Sequence, residues 1–280
     1  MRRFYIGAQP PIAMPFTHAL VRPPAASFAD GLTSAGFGPP DLELALQQHD
    51  AYCRTLGRLG LSLVRLPPDQ EFPDSTFVED AAIVAGRGAI LTRPGAPSRE
   101  GEVAAVGAAL ERWFPELDRI TPPGTLDGGD VCEAGDHFFI GLSERTNEEG
   151  AAQLAAWLSA RDFGSSVIDI RKPGDWRLAT GDSPAMLHLK TGLSWLGGRR
   201  LIAWREVVGH EALLGWEVLG VPKGEEYAAN CIRVNDVVLV ANGFPETVAL
   251  LRDLGDEVAE LEMSEYRKMD GGLSCLSVRW

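Results

Sequence analysis

A thiol, an imidazole and several carboxylates stand in this chain where they could act together on a cationic carbon. Cys275 lies in Met269-Asp270-Gly271-Gly272-Leu273-Ser274-Cys275-Leu276-Ser277, just after an Asp-Gly-Gly turn. His188 is set in Leu187-His188-Leu189-Lys190, and Asp127 and Asp130 in Leu126-Asp127-Gly128-Gly129-Asp130. Asp74, Glu79 and Asp80 form an acidic cluster further upstream. A thiolate can attack an electron-poor carbon, an imidazolium can protonate a departing amine, and carboxylates can hold a guanidinium by paired hydrogen bonds. Together these residue types point to an enzyme that acts on a guanidinium.

Taken singly, each has an ordinary explanation. A cysteine among small and apolar residues is commonly a buried structural thiol, and an imidazole between two leucines a satisfied core group. Asp beside Gly is commonly a turn former. Glu79-Asp80 is the sharpest case. Read as the opening of an apolar strand, the pair sends its side chains to opposite faces, so at least one carboxylate points inward. A buried carboxylate needs a partner, and a bound guanidinium would be one.

The elements that must position these groups repeat one plan without repeating sequence. Apolar runs flank short turns at 77–85 and 89–92, 131–134 and 137–141, 187–195 and 200–204, and 230–234 and 237–241. The turns are Gly86-Arg87-Gly88, Gly135-Asp136, Gly197-Gly198-Arg199 and Asn235-Asp236, the chemistry of tight hairpins. Helical spacing follows at 99–113, 147–160 and 245–254. A fifth unit would pair the last strand, 273–279, with the first, 18–22. The leading polar residues Glu79, Asp130, His188, Asn230 and Cys275 recur at intervals of 51, 58, 42 and 45. A ring of five strand-hairpin-helix units would bring these strand ends to one mouth.

Composition narrows the classes. The 280 residues are 45% apolar and 23% charged, which suits a soluble globular chain with a large core. A net charge of −13 argues against a nucleic-acid partner, and it suits a cationic small molecule, although solubility alone explains it equally well. No run has the length of a membrane span. The four cysteines, Cys53, Cys132, Cys231 and Cys275, are far apart, without a Cys-x-x-Cys pair, so neither a zinc site nor a disulfide framework is expected. A reducing cytoplasm is the default. Residues 1–13 make a poor signal peptide and read as an extension before a single domain over 14–280. The polar segment 171–186, rich in Gly and Pro, reads as a surface loop or lid before His188.

These residues also carry a resemblance. Pro73-Asp74-Ser75-Thr76-Phe77-Val78-Glu79-Asp80, the run Thr92 to Arg99, Thr125-Leu126-Asp127-Gly128-Gly129-Asp130, Arg145-Thr146-Asn147, Leu187-His188-Leu189-Lys190, Ala228-Ala229-Asn230-Cys231-Ile232, Ser264-Glu265-Tyr266-Arg267-Lys268 and the Gly-Gly-Leu-Ser-Cys-Leu-Ser ending occur in family order. The chain resembles the dimethylarginine dimethylaminohydrolases over about residues 16–280. The resemblance implies the five-bladed α/β propeller of the guanidine-modifying superfamily, in agreement with the five-unit reading. It implies hydrolysis of asymmetric dimethylarginine or monomethylarginine to citrulline and an amine through an S-alkylthiouronium on Cys275. His188 then acts as acid and base, oriented by Asp127, where some members carry Glu. Glu79 and Asp80 would bind the guanidinium and Arg99 and Arg145 the α-carboxylate. Asp74 and the carbonyls of Leu32 and Met269 would hold the α-ammonium. No cofactor and no metal are called for, and a homodimer is compatible with the family. Two features depart from it: 170–187 is longer than in compact bacterial members, and residues 1–13 have no counterpart.

An arginine deiminase is the nearest alternative, but it typically carries an aspartate two residues after the histidine, where this chain has Lys190. An amidinotransferase would need an acceptor-amine site. A papain-like protease would need a different motif around its cysteine. A non-catalytic binding protein for arginine derivatives would have no use for Cys275, His188 and Asp127 together.

Overall fold

Every hairpin expected from the sequence is present, but as the inner two strands of a three-stranded sheet. The computed structural model describes residues 15–171 and 186–280. The expected extension at 1–13 lies outside the described residues, and so does nearly all of the expected loop at 171–186.

Strands β3 (Ala82–Ala85), β4 (Gly88–Leu91) and β5 (Leu117–Arg119) form one sheet, with β4 antiparallel to β3 and parallel to β5. The same order recurs for β6 (Val131–Ala134), β7 (His137–Leu142) and β8 (Gly164–Asp169). It recurs again for β9 (Leu193–Gly197), β10 (Arg200–Ala203) and β11 (Glu217–Gly220), and for β12 (Ile232–Val234), β13 (Val237–Ala241) and β14 (Glu257–Leu261). The fifth sheet joins the ends of the chain: β15 (Val278–Arg279) pairs antiparallel with β1 (His18–Val21), which runs parallel to β2 (Ser62–Arg65). Trp280 seals this closure, accepting from the backbone N–H of Thr17 and His18 and stacking on the His18 ring.

The turns explain why the hairpins form where they do. Gly86, Gly135 and Asn235, each first in a two-residue loop, have φ of 58°, 73° and 54°, a region that glycine and asparagine tolerate. Between β10 and β11 only the 3-10 turn Glu211–Leu213 intervenes, and helices supply the other four crossovers that a parallel strand requires. They are α1 (Leu42–Arg58), α2 (Glu102–Leu110), α3 (Glu148–Ser159) and α4 (Pro245–Asp253). Asp41 and Asn147 cap α1 and α3 by accepting from Leu44 N and Gly150 N at 3.0 and 2.9 Å. The inner face of α3 buries Ala151, Leu154, Trp157 and Leu158 against Val131, Phe138 and Ile140, and a fully buried leucine contributes about 1.5–3 kcal/mol.

One expectation is corrected. Glu79 and Asp80 do not open a strand; they sit in a 3-10 turn, Val78–Ala81, before β3 begins. Similar turns precede every inner strand: Gly128–Asp130, Leu189–Thr191, Glu226–Ala229 and Ser274–Leu276. With about three residues per turn and i→i+3 hydrogen bonds, such a turn carries polar groups to the axis before the apolar strand starts. The five inner strands line one axial cavity of about 90 Å³.

Candidate active site

Asp127, His188 and Cys275, the catalytic residues expected from the sequence, stand on or just before these 3-10 turns, and neighbouring turns pack against one another. His188 precedes the Leu189–Thr191 turn, and its Nε2 lies 3.0 Å from Asp127 Oδ2. Asp127 is fully buried, and its other oxygen accepts from Gly95 N at 2.9 Å. The turn that carries His188 is itself held by Asp130. That carboxylate accepts from Leu189 N at 2.9 Å, Ser143 Oγ at 2.6 Å and Thr146 Oγ1 at 2.7 Å. In sequence Asp130 is a carboxylate beside a glycine pair and a leading polar residue; its anchoring of the His188 turn is visible only in three dimensions.

Electrostatics set the protonation states. Burial alone would lower the His188 pKa, but the Asp80 charge, the Asp127 hydrogen bond and the Asp130 charge raise it to about 9. His188 is therefore an imidazolium near neutral pH. Burial disfavours the Asp80 carboxylate, yet Arg99 and then His188 hold it below the usual range. Burial, followed by Glu79 and Asp80, pushes the Cys275 thiol up to about 12, so it rests protonated. Asp80 thus acts on both the imidazole and the sulfur. Gly272 N donates to Cys275 Sγ at 3.4 Å.

Two of the expected binding groups are disposed differently from the sequence reading. Glu79 accepts from Lys190 Nζ through Oε1 and from Ser274 Oγ at 2.8 Å through Oε2. It therefore lies in a buried ion pair. Arg99, almost fully buried, donates Nη1 to Asp80 at 2.6 Å and Nε and Nη2 to Glu102. Its Nη2 also reaches the carbonyls of Asp74 and Phe77 at 3.3 and 3.2 Å. Glu102 is pushed up to about 7 by burial, which leaves Asp80 as the carboxylate that Arg99 chiefly balances. Two acids that seemed alike in sequence thus divide: Asp80 faces the histidine and Glu79 faces the lysine.

The remaining expected residues lie around Asp74. Asp74 accepts from Leu32 N at 3.1 and 3.2 Å. A Cβ on Gly31 would fall 2.5 Å from Asp74 Oδ1 and 3.2 Å from the Met269 methyl, so both side chains close on Gly31. Burial raises the Asp74 pKa, opposed first by Arg99 and more weakly by Arg145. Arg145 is half-buried and makes no ion pair among the described residues. Its backbone packs so closely on Gly95 that a Cβ there would lie 2.2 Å from the Arg145 carbonyl.

Donor atoms of Asp80, Asp127 and His188 lie within 4.8 Å of one another, a spacing a metal ion could use. These carboxylates are already served by Arg99, Gly129 N, Gly95 N and the imidazolium, which together occupy the role of a cation.

This geometry belongs to the class of guanidine-modifying α/β propellers, and comparison with known proteins agrees. The family model described as arginine deiminase matches residues 70–230. The N(G),N(G)-dimethylarginine dimethylaminohydrolase of Pseudomonas aeruginosa is 44% identical over 266 residues, covering 95% of this chain and 100% of that protein. A solved structure of the Pseudomonas aeruginosa enzyme, a cysteine-to-serine variant complexed with citrulline, superposes with a TM-score of 0.88 at 42% identity, over 95% of this chain and 100% of the other. A dimethylarginine dimethylaminohydrolase solved as a histidine-to-glycine variant in adduct with S-methyl-L-thiocitrulline gives 0.87 at 43% identity, with the same coverage. The chain belongs to the dimethylarginine dimethylaminohydrolase family.

Proposed function

We propose that the protein hydrolyses asymmetric dimethylarginine and monomethylarginine to citrulline and dimethylamine or methylamine, with Cys275 as nucleophile. The observation that carries this reading is the charge layout: a protonated His188 held by buried Asp127, beside a resting thiol and the Asp80 carboxylate. The relatives solved with citrulline and as an S-methyl-L-thiocitrulline adduct support it.

The guanidinium docks on Asp80, and its positive charge offsets the carboxylates that keep Cys275 protonated, so the thiol loses its proton to solvent as the substrate binds. The thiolate attacks the guanidinium carbon. His188, already charged, gives a proton to the dimethylated nitrogen, and dimethylamine leaves, giving an S-alkylthiouronium on Cys275. Nε2 is bound to Asp127, so Nδ1 is the nitrogen left for this transfer. Neutral His188 then takes a proton from water, hydroxide adds to the same carbon, and the C–S bond breaks as the added hydroxyl loses its proton to solvent, freeing neutral citrulline and the thiolate.

At the other end of the substrate, Asp74 with the Leu32 and Met269 carbonyls takes the α-ammonium. Arg145, with the remaining Nη1 N–H of Arg99, takes the α-carboxylate. Glu79 acts at one remove, through Lys190 and Ser274. We read the chain as a cytoplasmic, single-domain enzyme; its four free thiols fit a reducing compartment, and no described helix is long and apolar enough to cross a membrane. Homodimerisation is read by sedimentation.

The test is kcat/KM for arginine, monomethylarginine and the two dimethylarginines under one condition. With Glu79 bound to Lys190, a single carboxylate is left to reward unmethylated N–H donors. The methylated substrates with one free terminal nitrogen should rank first and symmetric dimethylarginine low. Arginine ranking first would make the chain a deiminase.

A further inference from the structure

The turn that carries Cys275 has little to fix it by sheet pairing. Its 3-10 turn spans Ser274–Leu276, while β15 begins only at Val278. The preceding Asp270, at φ 56°, and Gly271-Gly272 are permissive backbone. Yet the sulfur must meet a carbon that is held from other sheets, by Asp80 at one end and by Asp74 and Arg145 at the other.

Tyr227 Oη donates to the Gly271 carbonyl and Tyr52 Oη meets Ser277 Oγ on either side of the turn, both at 2.7 Å, and Ser274 within it is held by one buried amide. Asn230, at the end of the Glu226–Ala229 turn, accepts from Ser274 N through Oδ1 at 3.0 Å. Its Nδ2 donates to Ser274 Oγ at 3.2 Å and to the Lys190 carbonyl at 3.1 Å. Ser274 Oγ in turn donates to Glu79 Oε2 at 2.8 Å, and Glu79 Oε1 takes the Lys190 ammonium. The bonds close a circuit: Lys190, Asn230, Ser274, Glu79 and back to Lys190, with one residue from each of four blades. Asn230, Ser274 and Glu79 are all buried, so each bond is costly to leave unmade. The backbone presses on the same amide, since a Cβ on Gly272 would fall 2.5 Å from Asn230 Oδ1. Ser274 Oγ also lies 3.9 Å from Cys275 Sγ.

We propose that Asn230 and Ser274 are positioning residues of the reaction: acting through Cys275, they hold its sulfur in line with the guanidinium carbon. The proposal rests on the hydrolase reading above. Neither residue is among the substrate-binding groups proposed above, so losing either should misplace the nucleophile while leaving those groups intact.

The experiment compares wild type, Ser274→Ala, Asn230→Ala and the hydroxyl-retaining Ser274→Thr, each checked for a native circular-dichroism spectrum. Two readouts are taken: kcat and KM with asymmetric dimethylarginine, and the pH dependence of Cys275 alkylation by iodoacetamide without substrate. Ser274→Ala and Asn230→Ala should each lower kcat by about 10²-fold, as a small misplacement of a reacting atom does, with KM changed by less than about threefold. The groups facing the sulfur are Glu79 and Asp80, Lys190, Tyr227 and Gly272 N. In Ser274→Ala, Glu79 loses the hydroxyl that shares its charge, so alkylation should begin at higher pH than in wild type, and Ser274→Thr should restore the wild-type profile. Folded variants with kcat within twofold of wild type would overturn the proposal. So would kcat and KM that fall together with an unmoved alkylation profile, the mark of a purely structural role. Wild type that released no citrulline would sink the hydrolase reading, while the alkylation profiles would still report on the circuit around Ser274.

Discussion

His188 is outnumbered by carboxylates: Asp80, Asp127 and Asp130 all favour its proton, and burial does not overcome them. The consequence for activity is directional. The acid that releases the amine is lost as pH rises through about 9, so kcat for dimethylarginine should fall there, in a pH-rate profile. Stability should follow the same group. Because its folded pKa is raised, the contribution is complete below the unfolded value near 6.5 and disappears as pH climbs to about 9. Wild type should therefore lose more melting temperature than His188→Asn between these pH values; equal losses would refute the assignment. Cys275→Ser and His188→Ala should each reduce citrulline release on the order of 10³-fold or more with the fold intact. Cys53→Ser, Cys132→Ser and Cys231→Ser should keep measurable turnover, since those thiols are buried packing groups. The roles proposed for Cys275, His188 and Asp127 come from the resemblance, and of the three only His188 and Cys275 also stand at the unit spacing. The division of labour between Glu79 and Asp80 was not legible in the sequence, because it depends on partners more than one hundred positions away, such as Lys190.

The elements show what a pattern of apolar residues can and cannot report. Hairpins announced themselves through Gly and Asn turns, and three helices through apolar spacing. The third strand of each sheet went unread: β2, β5, β8, β11 and β14 are short or half-exposed, so they lack the apolar run that marks an inner strand. The 3-10 turns went unread too, since a turn of three or four residues has no periodicity of its own. Glycine chemistry at these turns gives a test. A Cβ on Gly128 would fall 2.0 Å from the Glu79 carbonyl, where the Asp127 turn meets the acidic turn. Gly128→Ala should cost about 1–3 kcal/mol or more in denaturant unfolding, because backbone must move. Gly57, inside α1 with open space around its Cβ position, gives the contrast. Gly57→Ala should stabilise by about 0.5–1 kcal/mol. The same sign for both would show that these contacts do not govern the turns.

At the scale of the molecule, five similar units close a ring whose first and last strands share a sheet, and each unit delivers one polar turn to the axis. The five-unit ring was readable from intervals alone; its closure through Trp280 and His18 needed the structure. The surface adds a long-range effect. With a net charge of −13, the protein should attract a cationic amino acid, so kcat/KM should decline as salt is raised from low ionic strength, and an increase would contradict this. The central claim is narrower: one sulfur forms a covalent bond to the substrate carbon as the amine leaves. Acid-quenching the enzyme during turnover of asymmetric dimethylarginine and mapping its peptides by mass spectrometry tests that claim directly. The peptide containing Cys275 should carry the substrate skeleton less dimethylamine, citrulline and dimethylamine should form in equal amounts, and Cys275→Ser should show neither adduct nor product. Full turnover in Cys275→Ser, or a quenched enzyme unmodified at Cys275 and labelled elsewhere, would contradict it.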